Sequence, residues 1–170
     1  MEQNIDNNKI ELKGKLISFY KLNKTKIYVF LVFLIIALFL ISFFKQYNQK
    51  KMNLVAEKYI EAGLYLNTDQ AEKSKDLYEE IIFKKNKFYS ILALNTILEE
   101  GLETDNLKIL EYFEFIEKMK ITKEQKDLII FKKALFMIKI SKAEEGKVLL
   151  KNLIKKNSKF KSLAEEILNK

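Results

Sequence analysis

The chain has 170 residues and a net charge of +8, with 31 lysines, four glycines and no Arg, His, Cys, Trp or Pro. Without His or Cys it holds no thiolate or imidazole metal site, no disulfide and no catalytic dyad built on either residue. The scarcity of Gly and Pro excludes a turn-rich sandwich, a collagen or a Pro-rich linker, and predicts long uninterrupted helices.

The charge is concentrated at the N-terminus. Residues 1–51 hold nine Lys against Glu2, Asp6 and Glu11, whereas residues 52–170 hold 22 Lys against 20 acids. A folded domain this close to neutral, with no Arg for bidentate phosphate contacts, is not expected to bind nucleic acid. Residues 1–9 are polar and are expected to be disordered. Leu12, Leu16, Phe19 and Tyr20 then fall at helical spacing among Lys13, Lys15 and Lys21, which predicts a short interfacial helix in a cytoplasmic tail spanning 1–26.

Residues 27–44, Ile27 to Phe44, form an apolar run without a charged residue. As a helix at about 1.5 Å per residue it extends about 27 Å, close to the hydrocarbon thickness of a bilayer. Lys24 and Lys26 precede it, and Lys45, Lys50 and Lys51 follow, placed to reach the head groups. No small-x-small cleavage site follows the run, so it is expected to remain as a transmembrane anchor rather than a removed signal. The 15 residues before it hold five Lys and the 15 after it four, a bias that points the N-terminus into the cytoplasm and residues 52–170 out of it.

From Met52 onward the apolar residues recur at three and four, as in Leu77, Tyr78, Ile81 and Ile82. Capping-box spacing at Asp69 with Glu72, Thr122 with Gln125 and Ser141 with Glu144, and further starts at Asn86, Thr104 and Ser158, divide the segment. Helices are predicted at 52–67, 70–85, 87–100, 105–120, 123–140, 142–156 and 159–169, with neighbours antiparallel across short loops. Ala62, Ser74, Tyr78, Ile81 and Asn86 are matched in spacing by Ala134, Gly146, Leu150, Leu153 and Ser158, 72 residues later. This is the tetratricopeptide frame, in which paired helices approach closely at small residues and a bulky residue fills the adjoining groove. In the middle unit Ala93 serves as the first small position, while Asp105 or Asn106 stands where the second is expected. The predicted fold is therefore all-α: one N-terminal transmembrane helix, then about three tetratricopeptide-like hairpins and a terminal helix.

This layout resembles the ancillary subunit of the bacterial SecYEG translocon and related envelope proteins. The resemblance rests on the short charged tail, the single span ending in aromatics and bases, and the helix that follows at once. It rests also on Phe88-Tyr89-Ser90-Ile91-Leu92-Ala93-Leu94, which is similar to that family's Tyr-x-x-Leu-Ala stretch. The Asp105-Asn106-Leu107 loop and the Ile129 to Ile138 helix also fall where the family pattern places its helices. The resemblance covers roughly 150 residues and lacks about a hairpin at the C-terminus. It implies an inner-membrane protein with a periplasmic repeat domain beside the translocon, associated with periplasmic chaperones, and no catalysis.

The residues themselves offer no competing chemistry. Adjacent glutamates such as Glu79-Glu80 and Glu144-Glu145 diverge by about 100° on a helix, which suits solvated faces rather than paired acid–base work. Gly14, Gly63, Gly101 and Gly146 are too scattered for a phosphate loop. No cofactor, metal or small-molecule substrate is expected. Peptide-binding positions are predicted three residues before each small residue, at Tyr59, Ser90 and Phe131, with Leu135 and Ile138 nearby. The same aromatics also suit the core. The expected activity is protein binding at the periplasmic face of an inner membrane, for the Sec translocon, periplasmic chaperones or client chains. The alternatives are a structural subunit docked on one fixed partner and an enzyme restricted to Lys, Glu, Tyr or Ser chemistry.

Overall fold

The computed structural model describes residues 2–169, with side chains placed from Lys13 onward except at positions 16, 17 and 19. Seven helices and no strand occur among the described residues: α1 (Glu2–Asn67), α2 (Ala71–Phe83), α3 (Tyr89–Glu100), α4 (Asn106–Glu117), α5 (Lys123–Lys139), α6 (Ala143–Lys155) and α7 (Lys161–Leu168). The chain divides into two compact units, Met1–Lys50 and Lys51–Lys170.

In the first unit α1 replaces the disordered tail expected at residues 1–9, beginning already at Glu2. The stretch contains neither Pro nor Gly, so nothing in it interrupts the ladder of backbone hydrogen bonds. The expected interfacial helix is part of the same element; the side chains of Leu12, Leu16 and Phe19 lie outside the described set, and Tyr20 shares a 3.2 Å hydrogen bond with Tyr28. Tyr28 to Phe44 are exposed at every position but the small Ala37. A helix apolar on all sides, with no protein covering it, is one long and apolar enough to cross a membrane. No break separates this run from residue 52, because residues 45–51 are Lys, Gln, Tyr and Asn, all of which a helix accommodates.

The second unit holds three hairpins, formed by the C-terminal part of α1 with α2, α3 with α4 and α5 with α6, followed by α7. Two apolar clusters make its core. One joins Ala62, Tyr78, Ile81, Ala93, Leu94, Phe113 and Ile129, the other Phe131, Ala134, Leu150, Leu153 and Ala164.

The 72-residue spacing has a physical counterpart at each matched position. Ser74, fully buried, donates to the carbonyl of Ala62 at 2.9 Å, so α1 and α2 nearly touch there. At the equivalent place a Cβ on Gly146 would lie 2.7 Å from the Ala134 carbonyl oxygen, so α5 and α6 approach closer still. Tyr78 and Leu150 fill the adjoining grooves at 2% and 0% exposure. The turns repeat as well: Asp69 and Ser141, then Lys85 and Asn157, have left-handed backbones with φ between 49° and 65°. Ala93 is fully buried in the first cluster, whereas Asp105 and Asn106 are exposed at the start of α4. The middle hairpin consequently lacks a tight second contact, and α4 packs on α5 more than on α3.

Three expected helix starts are corrected. Asp69 and Ser141 are not N-caps; each is the left-handed residue that closes the helix before it, followed by a bond from Gln70 N to Tyr65 O and from Lys142 N to Met137 O, both 2.9 Å. In so short a connection one residue cannot hold both the left-handed conformation that ends a helix and the extended one that caps the next. The start expected at Thr104 moves to Asp105, whose carboxylate accepts from Leu107 N at 2.8 Å. Thr122 and Gln125 form the full reciprocal box. The Asn86 side chain accepts from Phe88 N and Tyr89 N at 3.0 Å each.

Candidate protein-binding groove

The first helices of successive hairpins lie side by side with one stagger. Tyr59 on α1 shares a 2.9 Å hydrogen bond with Thr96 on α3, and Lys132 on α5 donates to Asn95 on α3 at 2.7 Å; both links join residues 37 apart. The two seams differ in filling. Between α1 and α3 the rings of Tyr59, Tyr78 and Tyr89 close the space, with centroids 5.2 and 5.7 Å from Tyr59. Between α3 and α5 Ile129 packs beneath, in the first cluster, and the long Lys132 side chain bridges above it, while the seam stays open to either side.

That opening has two parts. The larger, about 470 Å³, is floored by Ile97, Leu98, Leu135, Phe136 and Ile140 and edged by Lys132, Lys139 and Glu103. The smaller, about 230 Å³, lies between Phe88, Ile91, Leu92 and Asn95 of the α3 side and Gln125 and Leu128 of the α5 side. Gly101, with φ of 63°, lets α3 end at the larger opening, where Leu102 N returns to Ile97 O at 3.1 Å. Glu103 accepts from Thr104 N and Asp105 N at 2.8 Å each. The Asp105 N–H first, then that of Thr104, with Lys75 and Lys108 nearby, holds its carboxyl below the usual range.

Of the expected groove residues, Leu135 alone lines this opening, at 38% exposure. Ser90 is fully buried and donates to the carbonyls of Ile81 and Ile82, satisfying the C-terminal end of α2. Phe131 is buried and stacks on Phe160 with centroids 5.3 Å apart. Ile138 packs in the second cluster against the Gly146 position, and Tyr59 is half-buried in the closed seam. The reason is angular. A residue three positions before a buried small residue lies only about 60° from it around the helix, on nearly the same buried face, whereas the next residue lies about 100° away. Leu135 follows Ala134 and so turns to the groove.

The paired glutamates separate as their helices require. Glu79 binds Lys108 at 3.4 Å, while Glu80 binds Lys58 of α1 and Lys84. No group of three or more metal-binding side chains occurs among the described residues. Compared with known proteins, the chain matches no family model, no curated protein and no solved structure.

Proposed function

We propose that this chain is a single-pass, membrane-anchored module that binds other polypeptides through a tetratricopeptide-like array and performs no catalysis. The array works at the periplasmic face of a bacterial inner membrane, beside the Sec translocon or with envelope chaperones and their clients. The observation that carries this reading is the open α3–α5 seam, an apolar floor with an intermittent polar edge, in a chain whose N-terminal unit carries an apolar span. An apolar floor of this kind accepts side chains of an extended or helical segment, and the array's hairpins hold it rigid. Tethering raises the local concentration of the groove near membrane partners, so weak contacts suffice. The lysine bias around residues 27–44 supports the orientation, and the resemblance to the translocon subunit supports the partner class.

Protease added to sealed vesicles tests the orientation. Residues 52–170 are expected to be cut in right-side-out spheroplasts and protected in inside-out vesicles; the reverse would leave a cytoplasmic adaptor. A photo-crosslinker at Leu135 then tests the groove, and is expected to capture polypeptide that a probe at buried Phe131 does not. Equal yields from the two would overturn the groove.

A second reading, docking on one fixed partner, is favoured by Ile60 and Leu64. These residues lie one turn apart on α1, 64% and 61% exposed, beside Ala56 and Gly63. Under that reading Ile60→Glu with Leu64→Glu releases the protein from its membrane complex, and substitutions at Leu135 do not.

A further inference from the structure

Four lysines converge on an apolar pit remote from any acid that pairs them. Lys85 and Lys87, in the α2–α3 connection, and Lys118 and Lys120, after α4, surround Phe115 and Met119 in a cavity of about 410 Å³. All four are exposed, and none makes an ion pair among the described residues. The nearby acids are engaged elsewhere: Glu80 with Lys58 and Lys84, Glu114 and Glu117 with Lys133.

The arrangement is held in place from beneath. Phe83 meets Phe115 edge-on at 4.8 Å and Tyr112 at 6.0 Å, so the floor is a packed aromatic row. Lys85 is fixed by its left-handed backbone, and the Asn86 cap fixes the turn that carries Lys87. Lysines commonly gather at helix C-termini to complement the macrodipole, and α2 and α4 both end here. Two such ends supply a charge of only about −1, so roughly three of the four positive charges are left over.

We infer that this cavity is a docking site, separate in its floor from the α3–α5 groove, for an acidic segment of a partner polypeptide that places one bulky apolar side chain between carboxylates. Charge complementarity selects the anion, and Phe115 and Met119 select the apolar side chain. The cavity falls within the ~300–1,000 Å³ of ordinary ligand pockets, enough for a side chain or two. Phosphate is disfavoured because built phosphate sites combine their lysines with backbone N–H groups or guanidinium forks. Here two helix ends present carbonyls, and Asn86 already occupies the N–H groups of Phe88 and Tyr89.

The test uses the full chain in nanodiscs of neutral phosphatidylcholine, labelled with ¹³C at its methionine methyls. The probe is a fluorescein-labelled pentapeptide with a central phenylalanine between glutamates. It is expected to bind and to shift the Met119 methyl, leaving the buried Met137 methyl in place. Alanine at the centre of the peptide weakens binding by about tenfold, the loss of one buried aromatic side chain. Lys87 also borders the smaller groove opening, so the variant combines Lys85→Gln, Lys118→Gln and Lys120→Gln and keeps Lys87. With helicity unchanged by circular dichroism, it is expected to lose binding of the phenylalanine peptide by more than tenfold. Binding that survives the triple substitution, or that shifts no Met119 signal, overturns the proposal. So does equal affinity for the alanine peptide. Phosphatidylglycerol vesicles or inorganic phosphate competing at the same lysines more strongly than the peptide would reassign the pit to lipid or phosphate and also overturn it. None of these outcomes bears on crosslinking from Leu135, so the groove stands or falls separately.

Discussion

Gly146 and Ser74 hold equivalent places in the two halves of the repeat, and the space around each decides which residue fits. A methyl on Gly146 would meet the Ala134 carbonyl at 2.7 Å and Ile138 at 2.8 Å, so Gly146→Ala must push α6 off α5. Thermal unfolding of the full chain should show a loss of about 1–3 kcal/mol. Gly63 has only Tyr78 Oη at 3.6 Å, an ordinary contact. Gly63→Ala should therefore raise stability by about 0.5–1 kcal/mol through helix propensity alone. The phenols give a pH signature. Burial, with the neighbouring Tyr59 and Glu100 charges, pushes Tyr78 up from 10.0 to about 12, and burial likewise raises Tyr112, with Glu79 adding to it. Between these values the unfolded chain has released the Tyr78 proton that the folded chain keeps, so stability is intact below pH 10 and falls as pH rises toward 12. Tyr78→Phe should flatten that decline in denaturation curves taken across this range.

At the scale of the element, helix ends carry much of the specificity. Four helices, α1, α3, α5 and α6, close with a left-handed residue followed by a bond back across five residues, and three of those residues are not glycine. Among the described residues the one complete reciprocal box is at Thr122, where the side chain accepts from Gln125 N at 3.2 Å. Thr122→Ala should cost about 1 kcal/mol in unfolding measurements and should fray α5 before α6 by hydrogen exchange. The box at Thr122 was legible because a stretch from Lys118 to Ile121 separates it from α4. At Asp69 and Ser141 the same residue pattern misled, because the preceding helix claims the residue first. The fuller extent of the repeat was also present in the chain: Lys87-Phe88 and Ser90 recur as Lys159-Phe160 and Ser162. Ser90 is buried against the end of α2, while Ser162 is exposed on α7.

For the whole molecule, the proposed membrane anchor and the helical array would answer to different solvents. One lysine at the centre of the run, Leu34→Lys, should cost about 3 kcal/mol of insertion and move protein from the carbonate-resistant membrane fraction to the soluble one. The same substitution should leave the unfolding of the array unchanged. The helical class, the apolar run and the pairing of Ala62 with Ser74 and Ala134 with Gly146 are determined by the sequence itself. Each depends on local periodicity or on residue size, which the chain carries without reference to its neighbours. The burial of Ser90 and Phe131, the opening beside Leu135 and the four-lysine pit were decided only by tertiary structure. These depend on which faces meet across elements: about 40° around α5 separates buried Phe131 from Leu135 at the groove, and lysines from two connections remote in sequence become neighbours only when α2 and α4 end at the same place.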